Sequence, residues 1–225
     1  MKHIVVLTGA GMSAESGIKT FRDADGLWEG HDVMEVATPE GFAANPNLVL
    51  DFYNQRRRQL FEVNPNPAHY DLANLEHGYK VSIITQNVDD LHERAGSTNV
   101  IHLHGELLKA KSTFDDTDIF DWKTDILVGD FCKKGHQLRP HIVWFGEDVP
   151  MIEKAVEICE TADILIIIGT SMQVYPAASL MHYVPNNTPT YFIDPKPNIA
   201  SKKNLTVIAE SATLGIKKVI GLLST

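Results

Sequence analysis

Cysteine is nearly absent from this 225-residue chain: Cys132 and Cys159 are the only two, and they lie far apart in segments of different character. That excludes a disulfide framework and leaves reduced thiols as the expected state. Missing too is any apolar run approaching the roughly 18 residues that span a bilayer, so a soluble protein without a membrane partner is expected. The amino-terminal M-K-H-I-V-V-L-T-G is too short an apolar run for a secretory leader and flows directly into a glycine motif, which makes the cytosol the expected compartment. An excess of positive charge is lacking as well. With a net charge of −9 the chain has no general electrostatic grip on nucleic acid, and none is expected as a partner. What is present is ordinary for a globular protein: 44% hydrophobic and 22% charged residues, enough at this length to bury a real core. A monomer is the default expectation.

Hydrophobic pattern and punctuation predict strands alternating with helices, hence an α/β fold with a sheet covered by helices on both faces. The runs Ile4 to Leu7, Val81 to Thr85, Ile164 to Gly169, Tyr191 to Asp194 and Leu205 to Ile208 read as strands buried on both sides. Asn45 followed by Pro46 forms a cap and first-turn pair for a helix through Leu60, and Met151 to Thr161 and Ser211 to Leu223 show helical spacing. The rhythm breaks from about Leu108 to Pro140, where K-S-T-F-D-D-T-D-I-F-D-W-K-T-D is acidic and without period. The expectation is a sheet-bearing part over about 1–40, 78–107 and 140–225, and a smaller lobe over about 41–77 and 108–139. Ligands of such sheets sit at the carboxyl ends of the strands, where a second lobe closes a cleft.

The first strand ends in T-G-A-G-M-S-A, in which Gly9, Gly11 and Ala14 fit G-x-G-x-x-G/A. Glycines there permit a tight turn and the close approach of backbone N–H groups to a pyrophosphate resting near a helix amino terminus. A plain glycine turn gives the same pattern, so the motif alone decides little. An ordinary dinucleotide dehydrogenase carries an acidic residue about 20 positions on, at the end of a second strand, and here it is missing. The chain instead runs S-G-I-K-T-F-R-D-A-D-G-L-W, which reads as a lid.

Five motifs then fall in register: G-A-G-M-S-A-E-S-G-I-K-T-F-R (Gly9 to Arg22), T-Q-N-V-D (Thr85 to Asp89), H-L-H-G-E (His102 to Glu106), L-R-P-H-I-V-W-F-G-E (Leu138 to Glu147) and I-G-T-S (Ile168 to Ser171). Together, over nearly the whole chain, they resemble the sirtuins, the NAD-dependent protein-lysine deacylases. The resemblance implies a Rossmann-like large domain with an inserted lobe, NAD as co-substrate and acylated-lysine proteins as partners. It assigns Gly9, Ala10, Gly11 and Ala14 to the diphosphate loop and Phe21 and Arg22 to a loop over the nicotinamide ribose. Gln86, Asn87 and Asp89 match the ribose and nicotinamide pocket, where an amide suits a carboxamide that both donates and accepts; loop capping after a strand is the alternative for Asn87 and Asp89. Gly169, Thr170, Ser171, Asp194 and Ala212 match the adenosine end. His104 resembles the catalytic base that accepts a ribose hydroxyl proton after the acyl oxygen has displaced nicotinamide and formed an imidate; its ordinary pKa of about 6.5 suits that task. The products implied are nicotinamide, O-acyl-ADP-ribose and free lysine. His102, two residues earlier, and His92 read as structural histidines. Val143 to Glu147, including Phe145 and Gly146, match a strand that pairs with the substrate backbone, and Trp144 reads equally well as hinge packing.

In F-Y-N-Q-R-R-R, Tyr53 and Arg56 project from one helical face. This Y-x-x-R pair resembles the mark of the desuccinylase branch, and a guanidinium with a phenol suits a terminal carboxylate. Arg57 and Arg58 read as solvated. Succinyl, malonyl and, less selectively, acetyl groups are the expected cargo. The family's four zinc cysteines are absent. Cys132 and His136, even with Asp115, Asp116 or Asp130, make a poor closed site, so no metal is expected and Phe120, Trp122 and Phe131 are the expected apolar support of the lobe. Protein ADP-ribosylation or plain NAD hydrolysis, and a silent NAD or ADP-ribose sensor, are the competing functions.

Overall fold

In the computed structural model, which describes residues 1–19, 27, 28 and 30–224, the strands along the chain are β1 (His3–Thr8), β2 (Leu27–Trp28), β3 (His31–Asp32), β4 (Lys80–Thr85), β5 (Val100–His102), β6 (Gly105–Ser112), β7 (Ile119–Asp121), β8 (Leu138–Ile142), β9 (Ile164–Ile168), β10 (Thr190–Ile193) and β11 (Leu205–Ile208). The helices are α1 (Val33–Val36), α2 (Pro39–Ala44), α3 (Pro46–Leu60), α4 (Pro67–Asn74), α5 (Leu91–Arg94), α6 (Ile152–Cys159) and α7 (Ala212–Leu223).

Six strands form one parallel sheet in the order β11-β10-β9-β1-β4-β5. The five apolar runs of the sequence are β1, β4, β9, β10 and β11, and they lack alternation because both faces are covered. Ile4, Val6, Ile164, Ile166 and Ile168 pack with Ala68 and Leu72 of α4 and with Ala212, Ile216 and Val219 of α7. Val5, Leu7, Leu165 and Ile167 face the other way, onto Ala155 and Cys159 of α6 and Leu180. Each buried Val, Leu or Ile side chain among them contributes about 1.5–3 kcal/mol, so the two layers fix the register of the sheet. Among the described residues, no helix is long and apolar enough to cross a membrane.

From β1 the sheet grows one way through β4 and β5 and, later in the chain, the other way through β9, β10 and β11, so the strand order reverses beside β1 and a crevice opens at the carboxyl ends of these strands. Over that crevice sits a second, antiparallel sheet in the order β7-β6-β8, backed by α3. Asn45 caps α3 by accepting from the Leu48 N–H at 3.1 Å, with Pro46 in the first turn.

Two expectations for the smaller lobe need correction. The expected bounds of about 41–77 include α4, yet its Ala68 and Leu72, with Leu75 just beyond it, bury themselves against β1 and β4. The lobe's apolar support is Leu50, Ala110, Ile126, Cys132 and Leu138 with Phe42, Phe120 and Trp122, whereas Phe131 is 59% exposed. Cys132 thus belongs to an apolar cluster, while the His136 ring stacks on Phe114 at 4.3 Å. No group of three or more His, Cys, Asp or Glu side chains placed to hold a metal ion occurs among the described residues.

Candidate active site

A cleft of about 340 Å³ runs along the carboxyl ends of β1, β4 and β9 and under the small sheet. It brings together Gly9, Ala10 and Gly11, the loop Gln86 to Asp89, His104, the pair Tyr53 and Arg56, the turn Val143 to Glu147, and Gly169 to Ser171. The sequence predicted residues in all six groups. Ala14, Asp194 and Ala212 do not line it. Ala14 is exposed on a short 3-10 turn, Asp194 is buried with its Oδ1 accepting from the Lys196 N–H at 2.8 Å, and Ala212 starts α7 within the sheet's core. Phe21 and Arg22, with most of the predicted lid, lie outside the described residues.

The glycine loop is braced by its own neighbours. Gly9 and Gly11 donate their N–H groups to the Ile168 and Gly169 carbonyls at 3.2 and 2.8 Å, and Met12 and Ser13 donate within the loop. These four donors are already engaged by the protein. A Cβ on Gly11 would stand 2.7 Å from the Gly169 Cα, so glycine is required there by the close approach of two backbones. Among the described residues that follow, up to Lys19, there is no long helix, and the turns Ala10–Met12 and Ala14–Ser16 stand in its place. Glu15 of the second turn reaches α7 instead, accepting from the Thr213 N–H at 3.0 Å and from the Ser211 hydroxyl at 3.1 Å. Burial opposes the charge on Glu15, but these bonds prevail and hold its carboxyl below the ordinary value.

After β4 the chain turns into Gln86, Asn87, Val88 and Asp89, and three successive carbonyls of this loop are held from the neighbouring segment. Gln86 O lies 3.1 Å from His104 Nδ1, Asn87 O lies 3.1 Å from His102 Nδ1, and Val88 O accepts from the Leu107 N–H at 2.8 Å. The side chains form a second chain of bonds: Asn87 Nδ2 donates to Ser13 Oγ at 3.1 Å, and Ser13 Oγ donates to Asp89 Oδ2 at 2.9 Å. That network assigns the amide orientation, with Nδ2 on Ser13, and Asn87 lines the cleft. Burial pushes Asp89 up to about 6, against the pull of Ser13, the Leu91 N–H and His102. Ser13, buried inside the glycine motif, is a site residue that the motif's own logic did not single out.

His104 uses Nδ1 to donate to Gln86 O, which places its lone pair on Nε2. Burial lowers its pKa below the ordinary value, partly offset by that bond, so the ring is neutral at pH 7. Tyr53 is buried and accepts from Trp144 Nε1 at 3.0 Å, which leaves its own proton to donate. Desolvation, foremost, raises its pKa and keeps it a phenol. Arg56 stands one helical turn on, its guanidinium carbon 3.3 Å from the centre of the Phe52 ring and its Nη1 2.5 Å from Phe52 O. Gln59, one further step along the same face, also lines the cleft, and its i+3 spacing from Arg56 was a signal available in the sequence.

Val143 to Glu147 is a turn and not a strand. Val143 N–H donates to His104 O, Phe145 N–H to Ala37 O, and Glu147 N–H to Trp144 O at 3.1 Å. The Glu147 carboxylate fixes it, accepting from the Trp144 N–H at 2.8 Å and bidentately from Arg139 at 2.6 and 3.0 Å. Trp144 is 2% exposed and packs under Arg139, whereas Phe145 is 47% exposed at the cleft mouth.

These features define a dinucleotide-binding α/β protein whose cleft ends at a neutral histidine. Residues 9–176 match the model of the Sir2 family, and the chain belongs to that family. The NAD-dependent protein deacylase of Helicobacter pylori (strain ATCC 700392 / 26695) is 61% identical over 213 residues, covering 94% of this chain and 93% of its own length. A solved Sir2 homologue in complex with NAD superposes with a TM-score of 0.88 at 40% identity, covering 99% of this chain and 90% of the other. A Sir2 complex with a deacetylated p53 peptide and 3'-O-acetyl-ADP-ribose superposes with a TM-score of 0.80 at 27% identity, covering 97% and 92% of the two chains. NAD-dependent protein deacylation is the activity that family membership and site support.

Proposed function

We propose that this chain uses NAD to remove acyl groups from protein lysines and that it prefers an acyl group ending in a carboxylate, such as succinyl or malonyl, over acetyl. The observation that carries the preference is the pairing, inside the cleft, of a phenol proton with a guanidinium: Tyr53 is pinned by Trp144 as an acceptor and so retains its donor, and Arg56 lies one turn away. A carboxylate set between them gains charge-assisted hydrogen bonds worth about 1.5–3 kcal/mol, roughly ten- to 150-fold in preference. The net charge of −9 supplies no long-range attraction for an acidic acyl group, so the preference has to be local.

The residues present fit NAD. The cleft passes the Gly9–Gly11 loop and Gly169 and reaches Asn87, whose Oδ1 is an acceptor suited to a carboxamide N–H, and His104. When bound, NAD supplies an electrophilic ribose carbon with nicotinamide as leaving group. Asn87 orients the carboxamide, and His104, neutral with Nε2 open, takes a proton from a ribose hydroxyl. Thr170, which accepts from Gln86 Nε2 at 3.1 Å, and Ser171 flank the far part of the cleft.

Nicotinamide release measured with succinyl-, malonyl-, acetyl- and unmodified lysine peptides tests the reading. Release that depends on the acyl group and is fastest with the acidic ones is expected. Release without peptide would make the protein an NAD hydrolase, and binding without release a sensor. Arg56→Met is expected to lower desuccinylation at least about tenfold and deacetylation less than about threefold; equal losses would reduce Arg56 to a structural role.

A further inference from the structure

His102 and His104 face the same loop with the same ring nitrogen, yet their other nitrogens meet different surroundings. Nε2 of His104 opens on the cleft, while Nε2 of His102 lies 2.7 Å from the Glu93 carboxylate on α5. The Asn87 carbonyl and the Glu93 carboxylate can only accept, so both His102 nitrogens donate and the ring is an imidazolium. The titration directions agree from both partners. Burial opposes the charge on His102, but Glu93 outweighs it and raises the pKa, while Glu93 is held below its ordinary value despite burial. Other ionisable groups near the pair are Glu106 and Lys109 of β6, which pair with each other at 2.8 Å, buried Asp89, and His69 and His92, which burial keeps neutral.

We propose that His102, clamped as an imidazolium between the Asn87 main-chain carbonyl and the Glu93 carboxylate, is a positioning residue that aims the Asn87 carboxamide at the nicotinamide end of the dinucleotide. The Asn87 backbone is fixed at two points, its N–H on Thr85 Oγ1 at 3.0 Å and its carbonyl on His102. Its side-chain Nδ2 is tied to Ser13 through one of its two N–H groups, which orients the amide and leaves Oδ1 and the second N–H to meet a ligand. Removing the His102 donor releases one of the two backbone points and lets Oδ1 swing. Glu93 keeps the ring from turning its Nδ1 away. His104 is served through the adjacent carbonyl, so a shift of Asn87 is felt at the base as well. The inference rests on the reading that Asn87 faces nicotinamide.

Calorimetric titration with NAD and with ADP-ribose, which lacks nicotinamide, separates the two claims. For His102→Leu, NAD affinity is expected to fall about tenfold or more, with ADP-ribose affinity within about threefold of the parent. His102→Asn restores a donor at the Nδ1 position and is expected to recover most of that loss. Equal losses for NAD and ADP-ribose, no loss, or no recovery by asparagine would overturn the proposal. If Asn87→Ala leaves the ratio of NAD to ADP-ribose affinity unchanged, the placing of Asn87 at nicotinamide fails; if Asn87→Ala changes it and His102→Leu does not, the positioning role alone fails. Should the leucine variant not fold, nitrogen NMR of the parent imidazoles decides. Two N–H groups on His102 at pH 7 beside one on His104 support the clamp, and a singly protonated His102 refutes it.

Discussion

Replacing Tyr53 with phenylalanine removes one oxygen and touches two roles at once. The phenol oxygen is the acceptor for the buried Trp144 Nε1–H at 3.0 Å, and its proton is the donor assigned to the acyl carboxylate. The ring itself stays, packed against Phe52 at 5.1 Å and Trp28 at 6.0 Å, so the apolar contacts survive. Leaving a buried N–H without a partner costs about 1–3 kcal/mol. For a chain of this length, each kcal/mol shifts the melting temperature by roughly 2–4 °C, so a drop of about 5 °C is expected by differential scanning fluorimetry. Loss of the donor to a charged acceptor is expected to lower kcat/KM for a succinyl peptide about ten- to 150-fold, while an acetyl peptide, which offers no carboxylate, changes less than about threefold. Steady-state kinetics on both peptides below the shifted melting temperature give the ratio. A parallel loss on both peptides, or an unchanged melting temperature, would refute the geometry: the first places the phenol away from the acyl terminus, the second denies the bond to Trp144.

Gly11→Ala is expected to destabilise the fold by about 1–3 kcal/mol, measurable by urea unfolding, because its Cβ meets the Gly169 backbone at 2.7 Å and neither strand end can withdraw; an unchanged midpoint would show the two loops to be farther apart. The base must be neutral to act, so activity falls as pH drops through the His104 pKa, and since burial sets that pKa below 6.5 the acid limb of kcat/KM is expected below about 6.5. A limb centred above 7 would contradict the burial of His104. Cys159, fully buried with its thiol pushed up to about 12, is expected to resist alkylation at pH 8 in the native protein, and rapid labelling there would show that the α6 face of the core opens.

The central strands were legible because burial on both faces writes a continuous apolar run, and α3 because Asn45 and Pro46 announce its start. Strands β5 and β7, three residues each with Ile101 the one buried side chain between them, carry no such signature. The cleft residues were found through motif, whereas the reasons for some of them were not. The sequence gives no hint that Gly11 is shaped by Gly169, because that contact joins loops more than 150 residues apart. The bond of Glu15 to the start of α7 is non-local in the same way. That Val143 to Glu147 turns was hidden as well, because the Glu147 carboxylate folds the segment back onto Trp144, a contact that alternation cannot reveal.

The arginine run shows most clearly how place overrides type. Arg56, Arg57 and Arg58 are consecutive, so the helix sends them in three directions. Arg56 faces the cleft; Arg58, half exposed, meets Asp125 at 2.6 Å, a pair of little net worth. Arg57, expected in solvent, is 1% exposed, donating from Nε to Leu107 O at 3.0 Å and from Nη1 to Asn54 Oδ1 at 2.6 Å. Burial pulls its pKa down to about 10, with Asp125 acting against the fall, so the guanidinium remains charged. Asn54 in turn exchanges two hydrogen bonds with the Ile126 backbone at 2.9 Å. Arg57 and Asn54 therefore tie α3 to β6 and to the irregular stretch around Ile126, the part of the chain that has no cysteine quartet to organise it. Because a buried charge deprived of its partners costs several kcal/mol, the helix that presents Arg56 to the cleft is held in place by its neighbour in sequence.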